Sequence, residues 1–448
     1  ENIRYAGVPL AGATVYRFRI WVQYADGQTA EAESKFETAL YDENFTAKWI
    51  AQAKPRAGWA PYLRREFAVT KPVVRARLYM CGLGYGEAWF NGSRVTDAVM
   101  EPAITNFEKL VEYAAYDITD RIRSGGNAVG AVLGCGFYNQ DRVWCDGTLY
   151  YGGPRLLAEV HLWYADGSKE VIGTDESWQC DYSPITLNNV YGGETYDARL
   201  EQHGWCCAGF DAAGWTAAVE AEAPGGKLVC SQIPPIRRTR RVQPVKIEHL
   251  HPGTMDQTWI VDMGENFAGW AKINIPYSPA GAEYVLRFAE DVDANGGLLY
   301  TSTGVQHTLV FQQDRYISRG NPDGESWEPR FTYHGFRYCF VTGLTDEQAT
   351  EDLLTYVICN SDLKKRGSFE CSDKTANTLY EMCMSSDLSN FFYFPNDCPH
   401  REKNGWTGDI ALSAEHMLMN FTCEKSFNEW LRNMVYAQEP SGALPCVV

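Results

Sequence analysis

The sequence predicts all-β sandwich modules followed by the opening of a helical barrel. Three observations carry this. Apolar residues recur with a period of two through most of the chain, and Asp-Gly and Asn-Gly pairs punctuate those stretches as hairpin turns. After Ser368 the period changes to 3.6. At 448 residues the chain is also too long for one hydrophobic core, so several domains are expected. The pattern divides as 1–45, a partial sandwich; 46–236, a first complete sandwich; 237–362, a second; and 363–448, the first helices of the barrel.

Residues 15 to 24 put Tyr16, Phe18, Ile20, Val22 and Tyr24 on one face and Arg17, Arg19 and Gln23 on the other, ahead of the turn Asp26-Gly27. About 45 residues is short for a sandwich of roughly 100, so the chain is expected to begin inside a domain. In the next module Val74 to Tyr79, then Gly82-Leu83-Gly84-Tyr85-Gly86, then Trp89-Phe90 lead to the turn Asn91-Gly92. The glycines lack dinucleotide-binding spacing, and a strand follows where a helix is required; they predict close backbone approach between packed strands.

The second module begins with Thr258 to Asp262 and ends with Tyr333 to Val341, where His334 reads as a packed structural residue. The acidic loop from Glu290 to Gly297 lacks the closing Glu and flanking helices of a calcium loop, so it reads as a turn. Ser372 is the expected N-cap of a first helix carrying Leu379, Met382 and Cys383 and ending near Phe394-Pro395. A second helix, from Trp406 or Thr407, carries Ile410, Leu412, Ala414, Met417 and Leu418; a third carries Phe427, Trp430, Leu431 and Met434. Such helices need further helices to bury them, and the sequence stops first, which reads as a chain truncated at both ends.

A net charge of −17 disfavours nucleic acid and acidic membrane surfaces. The basic run Arg237-Arg238-Thr239-Arg240-Arg241 is too short to reverse that and reads as a solvated strand edge between domains. The 14 cysteines include no CxxC pair and no regular spacing, which disfavours both a zinc site and a disulfide framework. No cofactor or metal is expected. With no transmembrane-length apolar run and no signal peptide the expected location is cytoplasmic, while the absence of an initial Met leaves a secreted form open. Homo-oligomerisation is also left open.

Chemistry concentrates at residues 397 to 409, Asp-Cys-Pro-His-Arg-Glu-Lys-Asn-Gly-Trp-Thr-Gly-Asp, a loop opening into a helix. Glycosidic cleavage needs one carboxylic acid to protonate the leaving oxygen and a second carboxylate to activate water or attack the sugar. Glu402 is the candidate acid, because a Glu held against an aromatic ring, here Trp406, can be kept protonated by desolvation. Arg401 can bind sugar hydroxyls or hold a neighbouring carboxylate ionised. Asp409 in the first turn of the next helix and Asp397 before Cys398-Pro399 read equally as a helix-dipole partner and a turn residue. A thiol nucleophile at Cys398 with His400 lacks a third, orienting group.

This loop resembles the bacterial α-L-rhamnosidases of glycoside hydrolase family 78. The similarity is most specific in Asp397-Cys398-Pro399, Arg401-Glu402 and Gly405 to Asp409, and extends through Gly82 to Gly86 with Asn91-Gly92, through Gly193 to Arg199, and through Trp327 to Tyr338. It implies a fibronectin-III-like remnant, two sandwich modules of jelly-roll-like type and the first helices of an (α/α)6 barrel. It implies inverting hydrolysis of terminal α-L-rhamnose from glycans or glycosides, with Glu402 as general acid and Asp397, Arg401, Trp406 and Asp409 lining the rhamnose subsite. His400 stands where Gln is common in that family, and the family's general base lies in a later part of the barrel that this sequence does not reach. The alternatives are a non-catalytic carbohydrate-binding protein and an (α/α)-barrel glycosidase of other sugar specificity.

Overall fold

The computed structural model describes residues 5–41, 45–141, 143, 149–252, 254, 257–299 and 312–448. The period-two stretches fold as β-sheets, and the region after residue 368 supplies three helices among the described residues. The first hairpin pairs Val15–Gln23 with Thr29–Glu37, Val15 opposite Glu37, around Gly27 at φ 87°. Its apolar residues are exposed, Ile20 and Trp21 at 50% and 58%.

Two sheets then face each other, antiparallel apart from the parallel pairing of Lys227–Cys230 with Leu110–Asp117. One is built around Val73–Leu83 and Arg155–Tyr164, the other around Pro61–Val69 and Gly125–Gly134. Leu78, Leu156, Val129, Leu133 and Trp178 fill the space between them. The glycine-rich stretch lies where these backbones meet. A Cβ on Gly84 would sit 1.9 Å from the Cys135 carbonyl oxygen, so the run serves close packing, as its spacing indicates.

The next sheet has ten strands. Its main path runs Ile185–Asn189, Gly193–Asp197, Gln313–Ile317, Glu283–Ala289, His334–Thr342, Trp259–Ile275, Leu354–Ser361 and Ile236–Val242. The hairpin of residues 185–197 therefore joins the sheet of the second module although it precedes that module in sequence. His334 is fully buried, stacked on Phe288, with Nε2 3.1 Å from Asp314 Oδ2. The basic run occupies the edge strand Ile236–Val242 and is ion-paired: Arg238 meets Glu328 at 3.0 Å and Arg240 meets Glu265 at 2.7 Å. Residues 293–296 form the expected turn, Gly296 N–H donating to the Asp293 carbonyl at 3.0 Å.

The helices are α1 (Lys374–Ser389), α2 (Thr407–Asn420) and α3 (Glu424–Ala437). Three expectations about them are corrected. The cap of α1 is Asp373, not Ser372; its carboxylate accepts from the N–H groups of Thr375 and Ala376. The helix ends at Ser389 rather than near Pro395, because Phe391, Phe392 and Tyr393 turn into the core, where Phe392 stacks on Tyr333 at 3.8 Å. Finally, Leu379, Met382, Cys383, Leu412 and Leu431 are exposed, whereas Met384, Ile410, Met417, Phe427 and Trp430 pack inward against the sheets.

Candidate active site

Residues 397 to 405 form a closed loop between the aromatic turn after α1 and the start of α2. Asp397 N–H donates to the Asn404 carbonyl and Asn404 N–H returns a bond to Asp397 Oδ1, both at 3.0 Å. Asn396 Nδ2 donates to the Lys403 carbonyl at 3.2 Å. The loop rests directly on the ten-stranded sheet: a Cβ on Gly335 would come within 2.6 Å of Pro399 Cγ, so only glycine admits this approach.

Inside the loop Glu402 is 6% exposed. Trp406 Nε1 donates to its Oε2 at 2.8 Å, and an Arg401 guanidinium nitrogen lies 2.8 Å from its Oε1. Both carboxylate oxygens are thus held by charge-assisted bonds. Trp406 meets the acid with its polar N–H edge, whereas the sequence alone suggested an apolar wall. Cys398 Sγ accepts from the Glu402 backbone N–H at 3.2 Å and donates to Asp397 Oδ2 at 3.1 Å, linking the Asp397 carboxyl to the backbone of Glu402 through one thiol. Burial pushes the Asp397 carboxyl above its usual range, with the Glu402 charge adding to the rise and the Asn404 N–H and Cys398 thiol opposing it. Burial also pushes the Cys398 thiol up to about 11, which keeps it protonated as a donor and removes it as a nucleophile near neutral pH. His400 instead lies 3.4 Å from Glu290.

Asp397 opens onto a cleft of about 620 Å³ between the sheet, at Glu265, Phe267 and Glu290, and α1, at Thr378 and Ser386. Four of the five candidate residues, Asp397, Arg401, Glu402 and Trp406, are therefore assembled in one place. Asp409, the fifth, is exposed in the first turn of α2, three residues after Trp406. Among the described residues no three His, Cys, Asp or Glu side chains gather as a metal site, and no helix is long and apolar enough to cross a membrane.

One buried residue of this loop escaped the sequence reading. Lys403 is 1% exposed, and its ammonium donates to the Val190 carbonyl at 2.6 Å and to the Tyr333 carbonyl, over the Tyr333 ring at 4.2 Å. A lysine in a charged loop reads as solvated, and no pattern in one sequence marks this one as buried.

Three family models match the chain: the α-L-rhamnosidase N-terminal domain over residues 71–240, the bacterial α-L-rhamnosidase concanavalin-like domain over 253–359, and the bacterial α-L-rhamnosidase six-hairpin glycosidase domain over 364–448. An α-L-rhamnosidase of Formosa agariphila is 33% identical over 96% of this chain and 48% of its own length. The structure of an α-L-rhamnosidase from Dictyoglumus thermophilum superposes with a TM-score of 0.91 at 35% identity, over 99% of this chain and 51% of that one. That of a Streptomyces avermitilis α-L-rhamnosidase complexed with L-rhamnose superposes with a TM-score of 0.82 at 29% identity, over 96% and 43%. The chain spans about half the length of these relatives. With all three modules matched in order, it belongs to the bacterial α-L-rhamnosidase family, glycoside hydrolase family 78.

Proposed function

We propose that this polypeptide serves inverting hydrolysis of terminal α-L-rhamnose from rhamnose-containing glycans or glycosides. Glu402 donates its proton to the glycosidic oxygen as the bond to the anomeric carbon breaks. A water molecule attacks from the opposite face, and its proton passes to a general base in a part of the helical domain outside these 448 residues. The observation that carries this reading is the buried Glu402 carboxyl, oriented by Arg401 and Trp406 beside Asp397, which lines the cleft. Asp397, Arg401, Trp406 and Asp409 are assigned to the rhamnose subsite. Arg401 Nε is buried with no hydrogen-bond partner among the described residues, which suits a donor to a substrate hydroxyl. Cytoplasmic residence is the compartment that 14 cysteines without disulfide spacing support.

The test is Glu402→Gln in the full-length polypeptide. General acid catalysis contributes about 10²- to 10⁴-fold, so turnover of an alkyl α-L-rhamnoside should fall by that factor with the fold intact. Near-normal turnover removes Glu402 from the acid role. A panel of aryl glycosides of other sugars checks the rhamnose assignment.

A further inference from the structure

Lys403 adjoins the proposed acid in sequence yet points away from the loop, between two segments of the ten-stranded sheet. Val190, one of its acceptors, is in the turn of the hairpin 185–197; Tyr333, the other, immediately precedes the strand His334–Thr342. Its partners are carbonyl oxygens and aromatic faces rather than a carboxylate, with the Tyr191 ring as a second face at 6.0 Å. The backbone at Lys403 has φ 55°, a left-handed conformation uncommon for a residue with a side chain. Such a conformation persists where its surroundings over-determine it. Here those surroundings are the buried ammonium on one side and the Asn396 bond to the Lys403 carbonyl on the other. Burial pushes the Lys403 ammonium down to about 7, because poor solvation disfavours its charged form.

We propose that Lys403 is a positioning residue for Glu402: by tying the loop to the carbonyls of Val190 and Tyr333, it sets the height and direction of the carboxyl that protonates the leaving oxygen. The proposal rests on the reading of Glu402 as the acid. A bystander anchor would affect only folding, whereas a positioning residue affects the step in which the proton is delivered. Proton delivery matters most when the leaving group is poor, since an activated phenolate departs with little protonation.

The experiment compares Glu402→Gln and Lys403→Met in the full-length polypeptide on two substrates, 4-nitrophenyl α-L-rhamnoside and methyl α-L-rhamnoside. A misplacement of about 1 Å costs on the order of 10²-fold, so Lys403→Met should lose about that factor in kcat/KM on the methyl glycoside. It should lose far less on the nitrophenyl glycoside, with KM for the latter unchanged. Should Lys403→Met fail to fold, Lys403→Gln carries the same comparison, since its shorter, neutral side chain removes the ammonium that bridges the two carbonyls. Losses equal on both substrates, or no loss, in a folded variant overturn the positioning role while a leaving-group-dependent loss in Glu402→Gln keeps the acid reading. If Glu402→Gln shows no dependence on the leaving group, the acid reading falls and the positioning role with it.

Discussion

At the scale of single residues, the candidate acid differs from its sequence picture in what orients it. Trp406 was legible as a neighbour four positions on; that its Nε1 donates to Glu402 Oε2 was not, because one sequence does not orient an indole ring. The hydrogen bond makes a prediction. Trp406→Phe keeps a ring in place but deletes the donor, and a bond to a charged group contributes about 1.5 to 3 kcal/mol. The variant should therefore lose roughly ten- to a hundredfold in kcat/KM on a methyl rhamnoside, since each 1.4 kcal/mol is a tenfold change. Steady-state kinetics alongside a thermal melt check this: an unchanged kcat/KM would mean that Arg401 alone orients the acid. Lys403 was illegible for the opposite reason. Its type predicts exposure, and only the fold reveals the two carbonyls waiting for it.

At the scale of elements, strands were read more faithfully than helices. The period-two stretches, the turn at Gly27 and the close-packed glycines all depend on local pattern, which one sequence displays. Helix faces depend on what lies opposite. In α1 the row Leu379, Met382 and Cys383 has helical spacing but faces away from the sheets, while Met384 and Asp387 face inward, where Asp387 lies 2.7 Å from His416 of α2. The start of α1 was misread by one residue because Ser372 and Asp373 are both good caps. The observed cap yields a prediction: Asp373→Ala removes the acceptor for Thr375 and Ala376 and should destabilise by about 1 kcal/mol, whereas Ser372→Ala should be close to neutral. Paired denaturant titrations decide it, and the reverse order of effects would return the cap to Ser372.

At the scale of the whole molecule, the modules share one continuous core, in which Tyr62 and Trp205 of the first sandwich, Trp270 and Tyr356 of the ten-stranded sheet, and Phe391 and Trp430 of the helical region belong to a single apolar cluster. Module order was legible; the hairpin 185–197 crossing into the later sheet was not, because strand pairing between distant segments leaves no local trace. The four-part division by residue number remains a proposal on that account. The seam between the first sandwich and α3 also carries a cost that no local pattern announces. Glu112, 3% exposed, is pushed up to about 7 by burial, with Glu429 of α3 raising it further and Ser231 and Arg432 opposing. Glu112 Oε2 and Glu429 Oε1 are buried without a hydrogen-bond partner among the described residues. Glu101 nearby is likewise pushed up to about 7 by burial, eased by the Tyr116 hydroxyl. A carboxyl that holds its proton more tightly when folded adds stability that is complete below its ordinary value near 4.5 and is lost as pH rises through about 7. The protein should therefore unfold at lower temperature at pH 8 than at pH 5. Glu112→Gln, neutral at every pH and nearly the same shape, should narrow that difference by raising the midpoint at pH 8 and leaving it nearly unchanged at pH 5. Thermal unfolding at the two pH values is the check, and an equal shift of the variant at both would show that Glu112 does not change its protonation on unfolding in this window.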